Sequence, residues 1–317
     1  MNVEKVTKIE DLFFTNLTNS TGVTFTKTGE ESIGKYKIYK LKSDDSYYYK
    51  EETIKPMIVL HSTVGNIKGD MGSLTKDGKV SVSYVVDRSG HIYELFDPKY
   101  WSYHLGMGSV GGNKSNSSRS IGIELSNYGP LTLRGNNLET SYSQVSYKDA
   151  GVLKKTPIDV YCTVDQTDAY TKLTTPFRAN SYFATFAQPQ YEALRELVEH
   201  LCLSFNIPKT FISIENRHNV FATPEEASAY TGISSHVNYR PSGKWDIGPD
   251  FKWDKIEKDV VTTPEVTQPV QIPTEPVVQS VVEPVTQPQS VAPSIQPQQL
   301  NGFIQIILKF LMRLFGK

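Results

Sequence analysis

Short apolar segments typical of β-strands recur along the first half of the chain. Residues 57–61 form an apolar run that ends in a histidine, which predicts a buried strand. Residues 83–87 and 91–96 flank an Arg-Ser-Gly turn and predict a β-hairpin. In residues 120–126 isoleucine and leucine occupy alternate positions, so Glu124 should lie on the face opposite to them.

Helical periodicity follows in the second half. Apolar residues recur at spacings of three and four through residues 190–205, and Pro208 should end this helix. Thr223 is followed by Pro224 and, three positions after the threonine, by Glu226, which is the pattern of a capped helix start. Because strand and helix patterns mix along the chain, we predict an α/β fold with a central mixed β-sheet flanked by helices.

Pattern and composition divide the chain into four regions. Residues 1–54 contain alternating stretches, such as residues 35–41, and are predicted to form added strands. Residues 55–259 carry the mixed periodicity of a globular domain. Residues 260–300 are rich in Pro, Gln, Val and Thr, cannot bury a core, and should form a flexible linker. Residues 301–317 are predicted to form a separate terminal helix.

The predicted terminal helix is amphipathic. Between residues 303 and 315 the polar residues Gln305, Lys309 and Arg313 recur every four positions and would form one cationic stripe. About fifteen residues of helix span roughly 22 Å, which is less than the ~30 Å core of a bilayer. We therefore expect this helix to bind a membrane surface, with docking on a protein partner or self-association as the alternative.

The bulk composition narrows the class of protein. The chain has 317 residues and a net charge of −1, so no strong field favours nucleic acid, and no nucleic-acid partner is expected. Residues 1–8 lack the apolar stretch of a secretory signal, so export by that route is not expected. Cys162 and Cys202 have no C-x-x-C spacing, and Cys202 falls on the apolar stripe of the predicted helix. Folding in a reducing cytoplasm is the simplest interpretation.

Residue types that bind metals lie near the end of the globular region. His236, Lys244 and Asp246 fall within one short segment, where Lys244 and Asp246 share a face if the chain is extended. A catalytic zinc ion takes three histidine or carboxylate ligands, and His61 completes such a set. Glu124 is then available as a general base and Lys244 as a partner for an oxyanion. Taken singly, each residue has a simpler explanation: His61 as a core histidine, Glu124 as a surface carboxylate and Lys244 as a solvated lysine.

Four stretches, in this order, carry a resemblance to a known family: residues 58–63, residues 83–93, residues 103–106 together with 120–127, and residues 236–248. Together they resemble the zinc-dependent N-acetylmuramoyl-L-alanine amidases, a family shared by phage lysins, bacterial wall-recycling amidases and peptidoglycan recognition proteins. The resemblance spans roughly residues 55–250 and implies the α/β fold of that family. An insertion at about 129–182, rich in Tyr, Thr and Asn, and the first 54 residues have no counterpart in the minimal family domain.

The resemblance also implies roles for individual residues. It implies three zinc ligands: His61, His236 and Asp246. It implies Glu124 as the base and later proton donor, with Lys244 stabilising the oxyanion. His104 and Asn127 correspond to positions that line the substrate groove of the family.

The function implied by the resemblance is zinc-dependent hydrolysis of the amide between the lactyl group of N-acetylmuramic acid and L-alanine in bacterial peptidoglycan, by a phage lysin. Such a lysin is expected in the host cytoplasm until its release to the cell wall, or in the virion. Two alternatives stay open: a non-catalytic peptidoglycan-binding protein, and a virion structural component with a wall-degrading domain. Binding proteins of this kind commonly lose a metal ligand, whereas this chain keeps the full set, which favours an enzyme.

Overall fold

The computed structural model describes residues 3–18 and 25–257. Within this part the α-helices are α1 (Val3–Thr18), α2 (Ile67–Leu74), α3 (Asn113–Ser118), α4 (Gln188–Phe205), α5 (Pro224–Ala229) and α6 (Asp254–Glu257). The strands are β1 (Thr26–Ile33), β2 (Tyr36–Lys42), β3 (Met57–Ser62), β4 (Tyr84–Val86), β5 (Ile92–Glu94), β6 (Ser120–Leu125), β7 (Pro130–Arg134), β8 (Asn137–Glu139), β9 (Ser146–Asp149), β10 (Val152–Lys155), β11 (Val160–Thr163), β12 (Tyr170–Phe177), β13 (Asn180–Ala184) and β14 (Gly232–Ser235). The predicted linker and terminal helix lie outside the described residues.

Seven strands form a central mixed sheet in the order β1-β2-β5-β4-β6-β3-β14. Strands β4, β6, β3 and β14 are parallel to one another, whereas β5 runs antiparallel to β4. Strand β2 joins the sheet by pairing parallel with β5. The strands predicted at residues 57–61 and 120–126 and the hairpin at 83–96 are all present, and the α/β fold with a mixed central sheet is confirmed.

Helix α4 covers one face of this sheet. Its apolar stripe packs against the strands in the largest hydrophobic core, which includes Ile58, Leu60, Ile121, Ile123, Leu194, Leu197, Val198 and Leu201. Each such side chain contributes about 1.5–3 kcal/mol when fully buried. The helix ends at Asn206, whose left-handed backbone caps it two residues before Pro208. Cys202 lies in this core, and both cysteines are free and buried.

The opposite face of the same strands carries His61 and Glu124 and is covered by loops and short helices. Its apolar contacts include Met57, Val59, Leu105, Phe221 and Tyr239. Gly122 allows a close approach here, because a Cβ atom at this position would lie 2.9 Å from Cγ1 of Val82 and 3.3 Å from Cγ of His104. The missing side chain therefore lets the segment that carries His104 lie directly against β6.

The first 54 residues differ from the prediction. Strands β1 and β2 extend the central sheet, but residues 3–18 form helix α1 instead of strands. Val6, Phe13 and Leu17 are buried at helical spacing, and Glu10 is completely buried in the same stripe. The Glu10 carboxyl group accepts a hydrogen bond from the Arg88 backbone N–H (2.9 Å) and lies 3.3 Å from the Ser126 hydroxyl. A carboxylate in the middle of the apolar stripe conceals the helical pattern in the sequence.

The insertion forms a second, antiparallel sheet in the order β11-β8-β7-β13-β12. Its core includes Tyr128, Leu131, Leu138, Tyr161, Cys162 and Ala184. Strands β9 and β10 form a separate two-stranded hairpin with exposed side chains. Among the described residues, no helix combines the length and apolar character that crossing a membrane requires.

Candidate metal centre

Three neighbouring strands bring the candidate residues into one row. His61 on β3 pairs in register with Glu124 on β6. Strand β14 pairs with β3 up to Ser235 and Leu60, so His236 follows at the level of His61. Neighbouring strands are about 4.8 Å apart, and residues in register point to the same face. The sheet alone therefore places two histidines and a glutamate side by side.

The loop after β14 adds the carboxylate. The Nδ1 atoms of His61 and His236 lie 2.9 Å apart. Oδ2 of Asp246 lies 2.9 Å from Nδ1 of His236 and 3.5 Å from Nδ1 of His61. All three side chains are at most 5% exposed. The structure thus brings together the three residues that the sequence suggested as metal ligands.

Hydrogen bonds hold the far side of each imidazole. His236 Nε2 lies 3.0 Å from the Leu105 carbonyl oxygen, which can only accept, so His236 donates from Nε2 and turns its Nδ1 atom towards His61 and Asp246. His61 Nε2 lies 2.9 Å from Nδ1 of His104, and His104 Nε2 lies 2.9 Å from the Ser120 hydroxyl. That hydroxyl donates to the Asn116 carbonyl at 2.6 Å, so it accepts from His104.

The series of hydrogen bonds from Ser120 through His104 to His61 leaves the His61 Nδ1 atom without a proton. His104 donates from Nε2 to the serine, so its Nδ1 is an acceptor, and His61 must donate from Nε2. The Nδ1 atoms of both imidazoles and one carboxylate oxygen then face one another across 2.9–3.5 Å. Neutral imidazole nitrogens and a carboxylate oxygen that converge in this way are the donor atoms that bind a cation.

The donor set fits zinc. Zinc binds imidazole nitrogen and carboxylate oxygen at about 2.0–2.2 Å, and a triangle with edges of 2.9, 2.9 and 3.5 Å has its corners within that reach of one centre. Two histidines and one carboxylate make up a common ligand set of catalytic zinc sites. The hydrogen bonds from the distal ring nitrogens are the supports that orient such ligands.

The protonation states of His61 and Asp246 suit metal binding. Burial, aided by the neighbouring His236, lowers the pKa of His61 to about 4. Burial alone would raise the pKa of Asp246, but His236, His61 and Lys244 outweigh it and hold this pKa well below its usual range. A neutral imidazole and an ionised carboxylate are the forms that bind a cation, and both are present near neutral pH.

Glu124 and Lys244 lie close to this centre and are partly exposed to solvent. Burial, and then the charge of Asp246, raise the pKa of Glu124 well above its usual value, while Lys244 opposes the shift. A carboxyl group with a raised pKa holds a proton more readily than an ordinary carboxylate, as a group that takes up and returns a proton must. The structure thus places the two candidate catalytic groups beside the three candidate ligands.

Two sequence-based expectations concerned the substrate groove. His104 is half-buried and holds the imidazole of His61, as described above. Asn127 does not line a groove, because it is completely buried. Its carboxamide accepts from the Gly129 backbone N–H at 2.7 Å and donates to the carbonyls of Ala184 (3.2 Å) and Thr185 (3.3 Å). This asparagine joins the end of β6 to the insertion sheet.

Sequence reasoning missed two residues that support the site. Ser120 ends the hydrogen-bond chain from His61, and Arg178 on the insertion sheet contacts the loop that carries Lys244. The position of Ser120 on the same strand face as Glu124 could have indicated the first. No pattern in the sequence links Arg178 to residues some sixty positions later.

Fold and side chains together define a class: an α/β protein whose parallel strands end at a buried His-His-Asp site able to hold a metal. The sequence model of the N-acetylmuramoyl-L-alanine amidase family matches residues 52–249, and the chain belongs to this family. The three candidate ligands, Glu124 and Lys244 all lie within the matched range. A comparison with curated proteins gives no match.

Several solved amidase structures are similar. AmiD from E. coli, in complex with the substrate anhydro-N-acetylmuramic acid-L-Ala-D-γ-Glu-L-Lys, is 21% identical with a TM-score of 0.37, over 73% of this chain and 65% of AmiD. AmpDh3 from Pseudomonas aeruginosa, in complex with anhydromuramic pentapeptide, is 15% identical with a TM-score of 0.36, over 68% and 64%. The amidase LysC from Clostridium intestinale is 13% identical with a TM-score of 0.35, over 69% and 94%. This chain thus spans less than two thirds of the AmiD and AmpDh3 chains.

Proposed function

We propose that this protein is a zinc-dependent N-acetylmuramoyl-L-alanine amidase. Its substrate would be bacterial peptidoglycan, and the bond cleaved would be the amide between the lactyl group of N-acetylmuramic acid and L-alanine. Family membership supports the reaction class. The observation that carries the proposal is the convergence of two imidazole Nδ1 atoms and one carboxylate oxygen within 2.9–3.5 Å, beside Glu124.

The residues divide the work as follows. His61, His236 and Asp246 would hold the zinc ion. When bound, such an ion polarises a carbonyl group and lowers the pKa of water. Glu124, with its raised pKa, takes the proton from the attacking water and passes it to the departing amine of L-alanine. The Lys244 ammonium would stabilise the negative charge that develops on the amide oxygen.

A role as a phage lysin, in the host cytoplasm before release or in the virion, is part of the same proposal. Its support is sequence alone: a Pro- and Gln-rich stretch at residues 260–300 followed by the apolar, cationic residues 303–315. Binding of those last residues to a membrane surface belongs to this proposal as well. Flotation with anionic liposomes should decide it, since the full chain should float and a chain ending at residue 300 should not.

Digestion of purified peptidoglycan tests the reaction directly. The full-length protein should release stem peptides with a free N-terminal alanine and leave the glycan strands intact, both detectable by mass spectrometry. Glu124→Gln, which keeps the shape but removes the base, should lower the rate by about 10²-fold or more. It should leave the metal content unchanged.

The same experiment separates the proposal from its rival. A non-catalytic wall-binding protein would sediment with peptidoglycan but release no new N-terminal alanine. Cleavage within the glycan strands or between amino acids of the stem would also contradict the amidase assignment. Equal rates for the wild type and Glu124→Gln would remove Glu124 from the reaction.

A further inference from the structure

The insertion sheet sends one hairpin to the loop that completes the metal centre. Strands β12 and β13 are joined by a two-residue turn, Arg178-Ala179, with Phe177 paired to Asn180. The guanidinium of Arg178 donates through Nη1 to the Lys244 carbonyl. Through Nη2 it donates to the carbonyls of Arg240 (2.7 Å) and Val237 (3.3 Å). One side chain therefore contacts three backbone carbonyls of a single loop.

These three carbonyls mark out the segment between two candidate ligands. Val237 directly follows His236, and Lys244 lies two residues before Asp246. Val237, Asn238 and Tyr239 are buried, whereas residues 241–243 are exposed and have little packing of their own. The carbonyls of Arg240 and Lys244 flank this exposed stretch, so the fork of Arg178 ties both of its ends to the insertion sheet. Hydrogen bonds from a charged donor are stronger than those between neutral groups, so this tie is significant.

The turn itself does not explain why an arginine stands here. Arg178 and Ala179 have φ values of +47° and +67°, the left-handed conformation of a tight hairpin turn. Glycine and asparagine adopt this conformation readily, whereas other side chains are strained in it. An arginine at this position costs stability in the turn. Its three hydrogen bonds to the carbonyls of Val237, Arg240 and Lys244 supply a reason for its presence.

We propose that Arg178 is a positioning residue of the metal centre. It holds the 237–244 segment in place, so that the Lys244 ammonium and the Asp246 carboxylate keep their positions relative to His61 and His236. This inference rests on the proposed amidase function for its effect on catalysis, while its structural part is independent of the reaction.

A proteolysis experiment tests the structural part. Trypsin cleaves after lysine, and the Lys244–Trp245 bond contains the carbonyl that Arg178 binds. In the full-length chain, Arg178→Gly removes the fork and also relieves the strained turn, so the hairpin should keep its stability. Cleavage at Lys244, followed as the new N-terminus at Trp245 by mass spectrometry, should become at least about tenfold faster than in the wild type.

A matched variant controls for the turn. Ala179→Gly relieves strain at the adjacent position, keeps the guanidinium, and should be cleaved at the wild-type rate. Arg178→Lys keeps a charge but not the planar fork, and should be cleaved at an intermediate rate. Arg178→Lys serves as the second test if Arg178→Gly proves unstable to heat. Wild-type cleavage rates in both Arg178 variants would overturn the inference.

Kinetics on a soluble muramoyl peptide test the catalytic part. Arg178→Gly should lower kcat about tenfold or more with a smaller change in KM. A displaced Lys244 should reduce the stabilisation of the transition state more than it reduces the binding of substrate. Added guanidinium should restore part of kcat in Arg178→Gly. It should leave the kcat of Ala179→Gly unchanged, because that variant keeps the Arg178 side chain. If the wild type itself cleaves no amide, the proposed function fails, whereas the trypsin result still decides the role of Arg178. An active wild type matched in kcat by Arg178→Gly would overturn the positioning role.

Discussion

Replacing His104 should weaken zinc binding although His104 is not a candidate ligand. His61 Nε2 donates to His104 Nδ1 at 2.9 Å, and this bond leaves the His61 Nδ1 lone pair facing His236 and Asp246. His104→Phe keeps an aromatic ring beside Gly122, where space is tight, but offers no acceptor. The His61 ring can then turn or change tautomer, which withdraws one of the three donor atoms.

The size of the effect follows from that broken bond. Outer partners of metal ligands typically contribute about 10–100-fold to metal affinity. A buried N–H left without an acceptor costs about 1–3 kcal/mol, which corresponds to a similar range. Burial, and then the neighbouring histidines His61 and His236, lower the pKa of His104 well below its usual value, so in the wild type it stays neutral and able to accept.

A competitive titration with a chromophoric zinc chelator measures this affinity. We expect His104→Phe to raise the Kd for zinc by about 10–100-fold. Ser120→Ala is the matched control, since it breaks only the second link of the chain and should have a smaller effect. An unchanged Kd in His104→Phe, in a variant that is folded, would refute the tautomer argument on which the metal centre rests.

Three further predictions test other parts of the molecule. Lys244→Ala should keep bound zinc but lower the rate of peptidoglycan cleavage by about 10²-fold or more, as measured by release of N-terminal alanine. Asn127→Ala should leave KM unchanged but lower the free energy of unfolding by about 1–3 kcal/mol in urea titrations, because it orphans buried backbone groups. Burial, and then Asp87, raise the pKa of Glu10 to about 9, so the folded protein holds a proton that the unfolded chain releases above its ordinary value of 4.5. Wild-type stability should therefore fall as the pH rises between these values, and Glu10→Gln should remove part of that slope in urea unfolding across the window.

The sequence predicted those parts of the fold and the site that follow from local pattern. The apolar run before His61 and the alternation around Glu124 placed both residues on strands, and the structure has them in register on neighbouring strands. The stripe through residues 190–205 predicted α4, including its end before Pro208. The suggested ligands His61, His236 and Asp246 come from separate segments, and the structure brings them together.

The features that the sequence did not predict depend on contacts between distant segments. Helix α1 was missed because Glu10 interrupts its apolar stripe, and the partners that make a buried Glu10 tolerable come from Arg88 and Ser126. Asn127 could not be recognised as buried, because its partners lie on the insertion sheet. Arg178 was missed for the same reason, since its acceptors are carbonyl groups, which no side-chain pattern marks.

The most direct test of the account is the zinc content of the purified full-length protein after dialysis against excess zinc and then metal-free buffer. We expect one zinc ion per chain in the wild type and a loss of most of it in Asp246→Ala, because the variant lacks one of the three converging donor atoms. A wild-type protein that retains no zinc, or an Asp246→Ala variant that retains a full equivalent, would contradict the claim that these three side chains form a zinc centre.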